Sequence, residues 1–264
     1  SFATMLPCPA FLIHDLGMPS RFHHMMRIFK PSSPMNLGVW ALLAHSGFAT
    51  LQVARVLVDW GVLPAPLARV LPARLLAGPG LLAALALGGY TGVLLGTTSV
   101  PVWSRSPLLG GLFMASAIAS GTAAVSLASL LSGRDTSPEH AALGTISLAA
   151  GVSELCLTGS YLATSGEVAR PLREGWTGAL FRGAAAATVA AITLDGAGMR
   201  LHSQQRLCSA LAAGAVLAGS AMLRLAMVRA GRTSAVDRDA NLVSMSPSAR
   251  NPGWGPPAPG SSVS

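Results

Sequence analysis

Residues 106–133 read SPLLGGLFMASAIASGTAAVSLASLLSG. Across these 28 residues there is no Lys, Arg, Asp or Glu. A helix packed on a soluble core keeps a polar stripe toward water, and this stretch has no charged side chain to supply one. At ~1.5 Å per residue it is long enough to cross a hydrocarbon layer about 30 Å thick. Two neighbouring stretches behave the same way: residues 31–54 give 24 uncharged positions and residues 75–104 give 30. Over all 264 residues only 11% are charged, whereas soluble domains average about 25%, and the mean hydropathy is +0.54. The sequence specifies an all-α fold, a polytopic transmembrane helix bundle.

Dividing the chain at charges and turn residues gives seven spans, at about residues 1–16, 35–58, 75–98, 107–132, 141–164, 178–197 and 205–229. Turn chemistry marks the links, as in Pro31-Ser-Ser-Pro34, Pro64-Ala-Pro66 and Asp135-Thr-Ser-Pro138. The expected organisation is a bundle over 1–230 and a disordered tail over 231–264, where Ser, Pro, Gly and Arg dominate. The chain opens at Ser1 inside an apolar run, without a basic leader or a small-residue cleavage site. An upstream segment, a whole helix in length, is expected to precede it.

The net charge of +8 does not signal nucleic acid, because the basic residues sit mostly in the gaps between spans, where lipid headgroups and loops favour them. Alternating spans define face 1, which holds the first, third and fifth links and the tail, and face 2, which holds the others. Lys and Arg number eleven on face 1 and five on face 2, and without the tail seven and five, so orientation stays open. Cys8, Cys156 and Cys208 lie singly in apolar segments, with no Cys/His spacing for zinc, an Fe–S cluster or a disulfide framework.

Ionisable side chains within spans are costly and therefore mark candidate sites. His14 and Asp15 end the first span, His45 lies midway in the second and Glu154 midway in the fifth. Arg55 and Asp59 are four apart and read as a helical ion pair; Asp195 reads as a solvated helix end. The run from His14 through Asp15 and Arg21 to His23 and His24 gathers an acid, three imidazoles and a guanidinium at face 1. Tyr90 lies about 12 Å from the same face by helical rise. Together they form the inventory of a quinone pocket: hydroxyl and imidazole for a carbonyl oxygen, carboxylate for a proton. The alternative is that the basic cluster simply meets lipid headgroups.

Four stretches carry a family resemblance. They are Asp15-Leu-Gly-Met-Pro-Ser-Arg-Phe22, Ser33-Pro-Met-Asn-Leu-Gly-Val-Trp40, Gly89-Tyr-Thr-Gly-Val-Leu-Leu95 and Pro101-Val-Trp103. In order and spacing, over about residues 10–130, they resemble the NrfD/polysulfide-reductase membrane-anchor family, which usually has eight spans. The first of those spans would lie upstream. The resemblance implies a quinone/quinol-interacting subunit of a multisubunit respiratory oxidoreductase. It would hold no haem or Fe–S group itself and would exchange electrons with an Fe–S electron-transfer subunit joined to a molybdopterin catalytic subunit. The bound substrate would be menaquinone or ubiquinone, and the membrane a bacterial plasma (inner) membrane. Asp15 matches the family's acid and Tyr90 its aromatic; Met18 stands where a basic residue is usual. His14 and Arg21 join the quinone site by proximity, while His45 and Glu154 are assigned to proton transfer.

Three rival readings stand beside this one. A retinal photoreceptor needs a Schiff-base lysine in a late span, and Lys30 lies in a link. A haem subunit needs axial histidines facing across helices, and His14 and His45 lie at different depths. A proton-coupled transporter or channel using His45 and Glu154 is the remaining alternative, although no inverted repeat is evident.

Overall fold

The computed structural model describes residues 13–14, 20, 24–27, 29–70, 72–104, 106–133, 137–200 and 205–236. Among the described residues the structure is all-α. Six long helices carry the spans: α1 (Pro34–Asp59), α2 (Ala73–Gly96), α3 (Leu108–Leu131), α4 (Ser137–Ser165), α5 (Gly175–Arg200) and α6 (Gln205–Val236). Each contains a stretch long and apolar enough to cross a membrane. They match the second to seventh expected spans; the first expected span falls outside the described residues apart from positions 13–14. Exposed Trp60 at the end of α1 and exposed Trp176 at the start of α5 are suited to the headgroup region at helix ends.

The Ser-Pro-Met-Asn sequence is a helix start. Ser33 takes the N-cap position, its Oγ accepting from the Asn36 amide at 3.4 Å, and Pro34 opens the helix where no amide proton is needed. Asn36 in turn accepts from the Lys30 amide at 2.8 Å. At the other end of α1, Arg55 meets Asp59 at 2.9 Å, the expected i,i+4 pair, and Arg55 also donates to the Ala68 carbonyl at 3.2 Å. That second bond ties the helix to the short turn Leu67–Val70.

The chain divides into two compact units, residues 1–94 and 95–264. The second is a closed ring of four helices in which α3 packs on α4, α4 on α5, α5 on α6 and α6 back on α3. Its seams are lined by small residues, among them Ala119, Ala123, Ala184, Ala191, Ala212 and Ala213, all buried. Lipid gives apolar helices no reason to leave it, so close backbone approach and its dispersion contacts supply the drive instead.

One end of this unit is closed by the Pro101-Val-Trp103 turn. The Tyr161 hydroxyl, on α4, donates to the Val102 carbonyl at 2.6 Å, and Tyr161 is fully buried. The Trp103 indole donates to the Met227 carbonyl of α6 at 3.0 Å. Its ring lies where a side chain at position 231 would have to be, so only glycine fits there. This corrects the boundary expected at residue 231. Helix α6 continues to Val236, because Gly231 seats the indole and Ser234 is buried with its hydroxyl bonded to the Gly231 carbonyl at 3.1 Å. Tertiary packing outweighs the helix-breaking composition of that stretch. The remainder of the expected tail lies outside the described residues.

Two substitutions test this closure. Tyr161→Phe leaves the Val102 carbonyl buried and unpaired, and is expected to lower stability by about 1–3 kcal/mol. Gly231→Leu, which drives a side chain into the indole, is expected to cost more. Thermal unfolding in detergent micelles measures both. An unchanged midpoint for both variants would show that the turn does not close the unit.

Candidate functional site

In the first unit, the Tyr90 ring of α2 lies directly against Gly38 of α1, with the hydroxyl beside the glycine Cα; any Cβ at position 38 would overlap the ring. Two of the four sequence stretches, one carrying Gly38 and the other Tyr90, therefore meet at one point. Seven residues further along α1, on the same helical face, stands His45. Its Nδ1 is buried and has no hydrogen-bond partner among the described residues. Another seven residues on, Gln52 donates to the Leu76 carbonyl of α2 at 3.4 Å. The α1–α2 seam thus carries a column of polar groups, from Tyr90 through His45 to Gln52. Trp40 has its Nε1 buried and unpartnered among the described residues, and its ring makes an edge contact with Phe29, centroids 5.8 Å apart.

The other residues expected at this pocket are seen less fully. His14 is helical and exposed. Asp15 and Arg21 lie outside the described residues.

The second unit holds a different polar group of side chains. Glu154 on α4 is buried, 5% exposed, near the middle of its span. Thr188 on α5 places its Oγ1 3.1 Å from Glu154 Oε1 and 3.1 Å from the Ala184 carbonyl, so its single proton serves one acceptor at a time. Ser116 on α3 stands near the Glu154 carboxylate, and its Oγ lies 3.1 Å from Ser220 Oγ on α6. Arg224, one turn beyond Ser220, donates to Ser116 Oγ at 3.4 Å, to the Ser220 carbonyl at 3.3 Å and to the Ser220 hydroxyl. Its guanidinium carbon stands 5.9 Å from the centre of the Phe113 ring, within reach of a cation–π attraction. Each of the four helices contributes to a network that joins a carboxylate to a guanidinium.

The sequence reading identified Glu154 but passed over Arg224. The signal was present, since Arg224 is the only charged residue between Arg206 and Arg229. Asp195 was read as a solvated helix end; the structure places it in the wall of a cavity that also reaches Glu154. His45 and Glu154, grouped by sequence as one proton path, belong to different units. Among the described residues there is no cluster of three or more His, Cys, Asp or Glu arranged for a metal ion.

Breaking such a network from one side leaves a charge without its partner, whereas removing both sides does not. Arg224→Met and Glu154→Gln are each expected to destabilise the inserted protein. The double variant is expected to recover about 1–3 kcal/mol of the summed loss. A double-mutant cycle on thermal unfolding gives the number, and strict additivity would mean that the two charges are not coupled.

Comparison with known proteins gives one match. The model of the family described as polysulphide reductase, NrfD, matches residues 2–237. No curated protein and no solved structure matches this chain.

Proposed function

The chain belongs to the NrfD polysulphide-reductase family, an integral membrane family whose members are subunits of respiratory oxidoreductases, and from that premise we propose that the α1–α2 seam is a quinone/quinol site. The observation that carries this reading is the seating of Tyr90 on Gly38. It fixes a phenol hydroxyl within a largely apolar membrane helix pair, next to a column of groups able to hydrogen-bond. The buried, unpartnered Nδ1 of His45 and Nε1 of Trp40 fit the same requirement, because a buried polar atom without a partner is expensive unless a ligand or water supplies one.

Quinol oxidation yields two electrons and two protons, and the residues here divide that work. The Tyr90 hydroxyl orients the headgroup by a hydrogen bond to its oxygen. His45, on the same face of α1, accepts a proton at Nδ1 in its neutral form and passes it along the seam. Asp15, with His14 and Arg21, closes the pocket at face 1; the carboxylate takes the second proton and the guanidinium holds a headgroup oxygen. Electrons leave to an Fe–S partner subunit and from there to a molybdopterin catalytic subunit. The substrate class is menaquinone or ubiquinone, and the membrane is the bacterial inner membrane.

The second reading, a proton-coupled transporter or channel, draws on the buried Glu154 network. Binding separates the two. In membranes holding the full-length protein, Tyr90→Phe is expected to weaken a fluorescent quinol analogue by about tenfold, the worth of one hydrogen bond of ~1–1.5 kcal/mol. Asp15→Asn should weaken it as well, whereas Arg55→Gln should lower the yield of inserted protein and leave affinity unchanged. Quinol affinity indifferent to Tyr90 and Asp15, in well-inserted protein, would remove the quinone reading and leave the transporter.

A further inference from the structure

The second unit contains a cavity of about 430 Å³ between the face-2 halves of its four helices. Its walls are mostly small or polar: Ser126 of α3, Thr145 and Ser147 of α4, Asp195 of α5, and Gln205 and Ser209 of α6. Gln205 is the first residue of α6, so the cavity reaches the face-2 end of the ring. At ~30 Å³ per molecule of liquid water the space holds on the order of ten waters, and its lining offers them hydroxyl, amide and carboxylate partners.

Deeper in the unit lies a second, much smaller space of about 10 Å³, roughly one water position. It shares Ser147, Leu148, Ile192 and Asp195 with the large cavity as common walls, and its own walls include Glu154 and Thr188. Asp195 thus borders both spaces, and Glu154 borders the inner one. On the far side of Glu154 the polar contacts narrow to the Ser116, Ser220 and Arg224 network, beyond which lie Phe113 and the buried apolar cluster around Leu109, Leu112, Tyr161 and Met227. The polar space is therefore one-sided. The large cavity lies toward face 2, and the small space, which shares four wall residues with it, is bordered by the Glu154 carboxylate near mid-membrane.

We propose that this half of the second unit is a water-filled inlet through which the Glu154 carboxylate exchanges protons with the aqueous phase on face 2 alone. A hydronium in the cavity gives its proton to a Glu154 oxygen and is left as water; on release the proton returns to a water in the same cavity. Asp195, at the junction of the two spaces, is a positioning residue that orders the connecting water. The groups near Glu154 set how readily it takes the proton: the Ser116 hydroxyl from α3, the Thr188 hydroxyl from α5 and the Arg224 charge from α6. Protonation cancels the carboxylate charge opposite Arg224 and frees the guanidinium to turn wholly to Ser220. This gives the second unit a site that senses the proton concentration on one side of the membrane. The inlet lies wholly within residues 95–264 and does not depend on where a quinone binds.

The test uses the full chain with Cys8, Cys156 and Cys208 replaced by Ser. Single cysteines are then introduced as Ser126→Cys, Ser147→Cys and, as the lipid-facing control at the same depth, Val125→Cys, whose native side chain is 52% exposed. A membrane-impermeant, positively charged methanethiosulfonate is added to sealed vesicles from either side. The expected result is that Ser126→Cys and Ser147→Cys react from face 2 at least tenfold faster than Val125→Cys, and from face 1 no faster than it. Infrared difference spectra after a pH jump provide the second readout. A carboxyl band that Glu154→Gln removes should rise at least tenfold more slowly once Ser147→Cys is blocked by the reagent, and more slowly in Asp195→Asn. Reactivity equal to that of Val125→Cys would mean a cavity filled by lipid. Equal labelling from both faces would mean a through-channel. Either result, or a carboxyl response unaffected by blocking, overturns the proposal.

Discussion

Apolar burial, which drives a soluble chain to fold, does little once helices are already in lipid. What remains is close contact between backbones and the cost of leaving a polar group without a partner. In the second unit both act at once. Alanine-lined seams bring α3, α4, α5 and α6 together, and Ser116, Glu154, Thr188, Ser220 and Arg224 find each other across all four. A carboxylate and a guanidinium at mid-span would each be very costly alone. Set among the hydroxyls of Ser116, Thr188 and Ser220, they fix the rotation of every helix, since turning any one of them by a residue would orphan a charge or a hydroxyl. The ring, its closing turn at Pro101-Val-Trp103 and the cavity at face 2 all depend on that register.

The first unit follows a different logic. Its two long helices meet at a few points, the principal one being Tyr90 on Gly38. Residue 38 has no side chain because a ring occupies the place. A glycine and a tyrosine that look unrelated in sequence are thus two halves of one contact. The same arrangement recurs within the second unit, where Gly231 seats Trp103.

Six of the spans were legible in the sequence to within a few residues, because the length and uncharged character of a run are local properties. The starts of α1 and α3 were legible for the same reason, with Ser33-Pro34 and Ser106-Pro107 as local signals. What escaped was non-local. Arg224 lies in a run long enough to read as a span despite its charge, and only the packing of α3 against α6 shows that Ser116 and Ser220 await it. Asp195 looks like an ordinary helix end until α4 and α5 are placed side by side. The end of α6 was misplaced because Gly231 reads as a breaker, whereas it admits an indole more than a hundred residues away in sequence.

If a quinone headgroup sits at Tyr90 in the α1–α2 seam, covalent mapping will find it there. A photoactivatable azidoquinone is irradiated with the full-length protein in membranes, and the labelled peptides are identified by mass spectrometry. Label is expected on the segments around Gly38 and Tyr90, suppressed by excess unmodified quinol and diminished in Tyr90→Phe. Competable label confined to α3–α6, with none on α1 or α2, would contradict it.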